Sequence, residues 1–232
     1  MNSNESRAIA STLRAEQAVA GSDQLAGNKV LRDTYRLLAM TLAFSAAVAI
    51  ASASLRLPHP GLLLTLGGYF GLLFLTSYLR NSVWALPAVF ALTGFMGYTL
   101  GPILAAYLSM PGGNGIVATA MGTTAAIFLG LSWYARRESA VDMSRYGTFL
   151  MVGILTAFGL ALAAYFFSMP ALSLAVSGLF VLLLSGLILY QTQAIVRGGE
   201  DNYVMATVTL FVSIYNLFAS LLQILGVMGG EE

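Results

Sequence analysis

Five polar side chains recur at helical spacing in an otherwise apolar stretch near the end of the chain. They are Thr209, Ser213, Asn216, Ser220 and Gln223, stepping by 4, 3, 4 and 3 residues. That spacing puts all five on one face of a helix. Their chemistry is confined to hydrogen bonding, since amides and hydroxyls do not titrate near neutral pH. The row could tie one helix to its neighbours, or it could line a polar path or gate. The segment that carries it, residues 203–227, is long enough to cross a bilayer, which takes about 20 apolar residues. In lipid a polar face must turn toward protein or water, because unpaired polar groups are costly there. This last span is therefore expected to sit against, or inside, a bundle made by everything before it.

The remaining polar candidates are few. Gln191, Thr192 and Gln193 stand one to two turns before the loop at residues 197–201. Gln191 and Ser213 could face each other across the last two spans, as a gate or as a packing pair. Arg80, at the end of an apolar run, could act as a latch or could snorkel to the interface. Gly94, Gly97 and Gly101 fall on nearby faces of one span, with Gly97-x-x-x-Gly101 permitting close helix contact and Pro102 expected to kink the helix.

Many chemistries lack their residues. All ten acidic residues lie in the leader, the loops or the C-terminus, and the single histidine, His59, sits in the turn RLPHPG. Proton relays and cation-coupled pumps usually use carboxylates or histidines inside the membrane. Neither paired aspartates nor HExxH occurs within a span, and a lone loop histidine is a poor haem ligand. With no cysteine there is no disulfide framework or thiolate metal site. Neither a cofactor nor an enzymatic activity is expected.

The elements that must position the polar row follow from composition. Of 232 residues, 58% are hydrophobic and only 9% charged, with mean hydropathy +0.80; soluble domains carry about 25% charged residues. An all-α membrane protein of seven transmembrane helices fits, with spans near residues 35–55, 62–79, 84–108, 116–134, 147–168, 172–196 and 203–227. Six would fit if two short spans were re-entrant. Residues 1–33 read as a mostly disordered tail and 34–232 as the membrane domain. No signal peptide is visible in the polar stretch ahead of the first span. The leader and the loops after spans two, four and six hold ten of the eleven basic residues, leaving only Arg56 on the other side. The positive-inside rule then puts the N-terminus in the cytoplasm and the C-terminus outside. The scattered basic residues give no nucleic-acid surface.

Three stretches resemble the Bax inhibitor family: KVLRDTYRLLAMTLAFSA from Lys29, TGFMGYTLGPIL from Thr93, and LYQTQAIVRGGEDNYVMATVTLFVSIYNLF from Leu189. The similarity is strongest to its proteobacterial inner-membrane branch, modulators of the FtsH protease. The resemblance implies a seven-helix fold with the C-terminal helix at the centre. It also implies two functions. One is occupation of a membrane-bound ATP-dependent FtsH-type protease, which grips the cytoplasmic N-terminal tail of a slowly degraded substrate. The other is a pH-sensitive calcium leak gated by two aspartates, with an arginine latch on span two. Here Gln191 and Ser213 stand at the two aspartate positions, and Arg80 falls near the latch. A glutamine–serine pair cannot titrate near neutral pH or offer a cation formal charge.

Overall fold

The computed structural model describes the backbone of residues 3–137 and 140–229, and the side chains of residues 29–137 and 140–229. Seven helices follow one another: α1 (Ser3–Ser54), α2 (Leu62–Leu79), α3 (Ala85–Leu108), α4 (Gly113–Ala135), α5 (Gly147–Phe166), α6 (Pro170–Val196) and α7 (Tyr203–Gly229). Each is long and apolar enough to cross a membrane, the spanning part of α1 being Lys29–Ser54. Among the described residues there is no strand. The chain is an all-α seven-span membrane protein.

Local chemistry sets the ends of these helices. Pro170 opens α6, where its missing N–H is not needed and its fixed φ suits the first turn. Gly112 precedes α4 with φ 72°, a left-handed conformation that glycine adopts without strain. Asn202 caps α7: its Oδ1 accepts from the Val204 and Met205 amides at 3.0 Å each. The expected boundary at residue 33 leaves no break in the backbone, because α1 is one helix from Ser3. The leader holds many alanines, arginines, glutamates and glutamines, all good helix formers, and contains no proline to stop the helix. Residues 1–2 and the side chains of residues 3–28 lie outside the described set.

α7 is the centre. It packs against α1, α3, α4 and α6, and from Val204 to Gly226 not one of its residues is exposed. Phe211, Leu210, Leu217 and Leu222 are almost wholly buried along it. α2 lies at the periphery and leans chiefly on α3, while α5 leans on α6.

The most extensive seam joins α1 to α3. A Cβ on Gly97 would run into the Ser45 carbonyl, and one on Gly101 into the Ser52 side chain and, at 2.9 Å, the Ala49 carbonyl. A Cβ on Gly94 would meet the Phe44 ring at 2.8 Å. At Gly97 and Gly101 the facing part of α1 leaves no room for a Cβ without the two helices moving apart. Pro102 lies inside an unbroken α3. Having no N–H, it strands the carbonyl four residues back, that of Tyr98. Ser52 of α1 donates its hydroxyl to that carbonyl at 3.0 Å. The proline defect in one helix is satisfied by a side chain of the next.

Candidate functional site

The polar row of α7 faces inward over its whole length. Ser213 and Ser220 are buried, and Thr209, Asn216 and Gln223 are half-buried. None points to the lipid side.

Thr209, Ser213 and Asn216 border a cavity of about 390 Å³ enclosed by α2, α3, α5, α6 and α7. Its wall is mostly apolar, with Phe70, Leu73, Phe158 and Leu184 among the lining residues, and Thr65, Tyr69, Thr99 and Tyr215 add polar groups. The donors on this wall are largely spent on their own helices. The Ser213 hydroxyl donates to the Thr209 carbonyl at 2.7 Å, Asn216 Nδ2 to the Val212 carbonyl at 2.8 Å, and Thr65 to the Gly61 carbonyl at 2.7 Å. Thr99 donates to the Met96 carbonyl at 2.9 Å and lies 3.2 Å from the Tyr215 hydroxyl. Back-bonding of this kind is a common fate for short polar side chains within helices. The polar groups that line the cavity are neutral amides and hydroxyls, with no carboxylate among the lining residues. Such a wall can hold water or coordinate a cation weakly, without formal charge.

At one end of the row, Gln223 locks α7 to α6. Its Nε2 donates to Ser173 Oγ at 2.6 Å, and its Oε1 accepts from the Ser177 hydroxyl at 2.8 Å.

At the other end the loops after α2, α4 and α6 are fastened together. Gln193 reaches across to residues 141–143: Nε2 donates to the Val141 carbonyl at 2.8 Å and Oε1 accepts from the Met143 amide at 3.0 Å. Arg197 donates to Asp142 Oδ1 at 2.6 Å. Hydrogen bonds from the Ser144 backbone and hydroxyl, and then the Arg197 guanidinium, hold the Asp142 carboxyl below the usual carboxylate range. Asn202 Nδ2 donates to Asn81 Oδ1 at 2.8 Å, tying the start of α7 to the end of α2.

Gln191 and Ser213 do not form a hydrogen-bonded pair. Gln191 is 6% exposed, and its Nε2 has no hydrogen-bond partner among the described groups. The same holds for Thr192 Oγ1, Thr34 Oγ1, Tyr35 OH and Ser132 Oγ. All five lie near the start of the spanning part of α1 or near the ends of α4 and α6. A buried polar layer like this accommodates ordered water or a polar partner. Arg80 is exposed at the end of α2, where only its backbone carbonyl is engaged, by Asn202 Nδ2 at 3.4 Å. Its guanidinium makes no hydrogen bond to Gln191 or Ser213.

Sequence spacing did not reveal the partners of Gln223, the Gln193 clamp or the role of Asn202. Only the last carried a readable signal, an Asn just before an apolar run.

The family model for inhibitor of apoptosis-promoting Bax1 matches residues 27–230. A Pseudomonas aeruginosa protein named only as uncharacterised is 52% identical over 215 residues, covering 93% of this chain and 96% of that protein. The Escherichia coli K12 protein named modulator of FtsH protease YccA is 50% identical over 202 residues, covering 87% of this chain and 91% of its own length. The same identity and coverage hold for a protein of a second E. coli strain, named inner membrane protein YccA.

Proposed function

The chain belongs to the Bax inhibitor family, and from that premise we propose that it is an inner-membrane modulator of an FtsH-type ATP-dependent protease, engaged through its N-terminal segment. The observation that carries this reading is the continuity of α1. Residues 3–28 amount to about 39 Å of helix at 1.5 Å per residue. They lead without a break into the span that is most extensively seamed to α3. A pull on the N-terminus therefore loads the α1–α3 seam directly. A substrate that offers a handle but resists extraction occupies the protease, and that occupation is the modulation. The reading places the N-terminus in the cytoplasm and the C-terminus in the periplasm. Support comes from the ten basic residues on the N-terminal side and from the relative named as an inner membrane protein. A reporter active only outside the cytoplasm, fused after Glu232, checks the orientation.

Deleting residues 2–28 tests the handle. The shortened protein should live longer and, when overproduced, should no longer slow the turnover of another membrane substrate of the protease. If both measurements matched the full chain, the handle idea would be lost.

A second reading rests on the cavity bordered by Thr209, Ser213 and Asn216: a weak leak for calcium or other cations along the polar face of α7. Protein reconstituted into liposomes would then pass calcium faster than empty vesicles do. With no acid on the path, the flux would not vary between pH 5 and 8. The double variant Gln191→Asp, Ser213→Asp would introduce a pH dependence. Vesicles no leakier than controls would remove this reading.

A further inference from the structure

α1 and α4 both pack against α7, yet they make no extended contact with each other. Between them runs a crevice of about 400 Å³. Phe211 and Phe218 of α7 form its back, Ala46 and Ile50 one side, and Met121 and Ala125 the other. The Thr124 hydroxyl on this wall is already spent on the Ala120 carbonyl at 2.7 Å. The surface is thus close to hydrocarbon in character.

At one end the crevice is bridged. The Phe128 ring of α4 lies 5.8 Å from the Tyr35 ring of α1, and the Arg136 guanidinium lies over Tyr35 at 5.4 Å. Arg137 is held over the Trp133 ring at 3.6 Å. On α1, Arg32 and Arg36 flank Tyr35 at positions three before and one after it. Arg36, Arg136 and Arg137 are exposed and have no carboxylate partner among the described residues; Arg32 pairs with its neighbour Asp33 at 3.2 Å. The Arg136 guanidinium is thus held across the end where the crevice begins, with Arg36 next to Tyr35 in sequence and Arg137 next to Arg136. Exposed basic side chains at one end of an apolar crevice attract an anion.

We propose that this is a binding site for one anionic phospholipid, with its phosphate among Arg36, Arg136 and Arg137 and one acyl chain in the α1–α4 crevice. The dimensions agree. Along α4, Phe128 lies about 12 Å and Met121 about 22 Å from the level of Arg136. With a hydrocarbon half-thickness of about 15 Å, the crevice brackets the depth where an acyl chain ends. The inference does not depend on the protease reading, because it uses neither the N-terminal handle nor any partner protein.

Native mass spectrometry of the full-length protein, with phosphatidylglycerol and phosphatidylethanolamine added separately, tests it. One phosphatidylglycerol should stay bound under conditions that strip phosphatidylethanolamine. The variant Arg36→Gln, Arg136→Gln, Arg137→Gln should lose about tenfold or more in affinity for it, on a scale of about 1 kcal/mol per basic residue. Ala46→Phe, which fills the crevice from an exposed position, should weaken retention while leaving the three arginines in place. Far-ultraviolet circular dichroism of both variants should match the parent, so that lost binding is not lost folding. Equal retention of the two lipids, or full retention by the arginine variant, would overturn the site. Glycerol phosphate displacing the lipid as well as intact phosphatidylglycerol does would overturn the role of the crevice.

Discussion

Replacing Gly97 by alanine perturbs the seam on which the protease reading depends. The added methyl would sit against the Ser45 carbonyl oxygen, a backbone atom that cannot rotate away. Restoring ordinary van der Waals separation needs α1 and α3 to part locally by roughly 1 Å. Overpacking of this kind costs about 1–3 kcal/mol. Parting the helices also stretches the Ser52–Tyr98 hydrogen bond, which starts at 3.0 Å and covers the carbonyl freed by Pro102. Its loss adds about 1 kcal/mol within a membrane. The sum, about 2–4 kcal/mol, corresponds to a population of opened α1 raised about 30-fold to nearly a thousandfold, at tenfold per 1.4 kcal/mol.

Two measurements read this out. The stability of the α1–α3 seam is obtained from reversible unfolding in mixed micelles, and the cellular lifetime from a chase with the protease active or depleted. Gly97→Ala should be less stable by the amount above and several-fold shorter-lived, with the difference vanishing on protease depletion. Overproduced, it should also compete less well against other substrates. If the variant were as stable as the parent, the close-packing argument would be wrong. If it were destabilised yet just as long-lived, resistance to extraction would not be what delays the protease.

Other perturbations have defined outcomes. Asn202→Ala removes the cap of α7 and its amide bond to Asn81, so unfolding should become easier by about 1–2 kcal/mol. Gln223→Ala breaks the links to Ser173 and Ser177 and should cost about 1–2 kcal/mol, by the same assay, without changing helix content. Asp142→Asn tests pH dependence. Because the Asp142 carboxyl is held below its ordinary value, its contribution is present above the unfolded carboxylate value of about 3.9 and is lost as pH falls through the lower folded value. The stability gap between parent and Asp142→Asn should therefore stay flat from pH 5 to 8 and close only in stronger acid.

The seven spans were readable because each couples a long apolar run to its own stop signals, such as Pro58 and Pro60 before α2 or Gly112 before α4. The inward polar face of α7 was readable for a similar reason: its spacing allows one helical face, and lipid disfavours exposing it. Which partner each member takes was not readable. Ser213 and Asn216 turn to carbonyls one turn back in their own helix, whereas Gln223, on the same face, reaches α6. Nothing in the spacing separates these fates, because they depend on how near α6 comes at each level. Ser52 shows the same limit. Its role follows from Pro102, fifty positions away, once α1 and α3 are side by side. The helical leader went the other way: its polarity suggested disorder, while its propensities favour helix.

The position of α7 bears on the direction from which such a bundle can be dismantled. Drawing α7 out first would require α1, α3, α4 and α6 all to part from it, since none of its residues between Val204 and Gly226 is exposed. α1 lies at the edge of the core, with exposed residues throughout its spanning part Lys29–Ser54, and is held chiefly by α3 and α7. Its links to α7 include the buried Thr207 hydroxyl, 3.2 Å from the Thr34 carbonyl. A machine pulling from the N-terminal side therefore meets a resistance set by two interfaces, and one pulling on the C-terminus meets nearly the whole fold. Among the described residues, the groups that join α1 to α3 and α7 include glycines, hydroxyls, carbonyls and apolar side chains, which do not titrate near neutral pH. The resistance of α1 should accordingly respond to packing changes such as Gly97→Ala and not to protonation, the opposite of what a leak gated by paired aspartates would show.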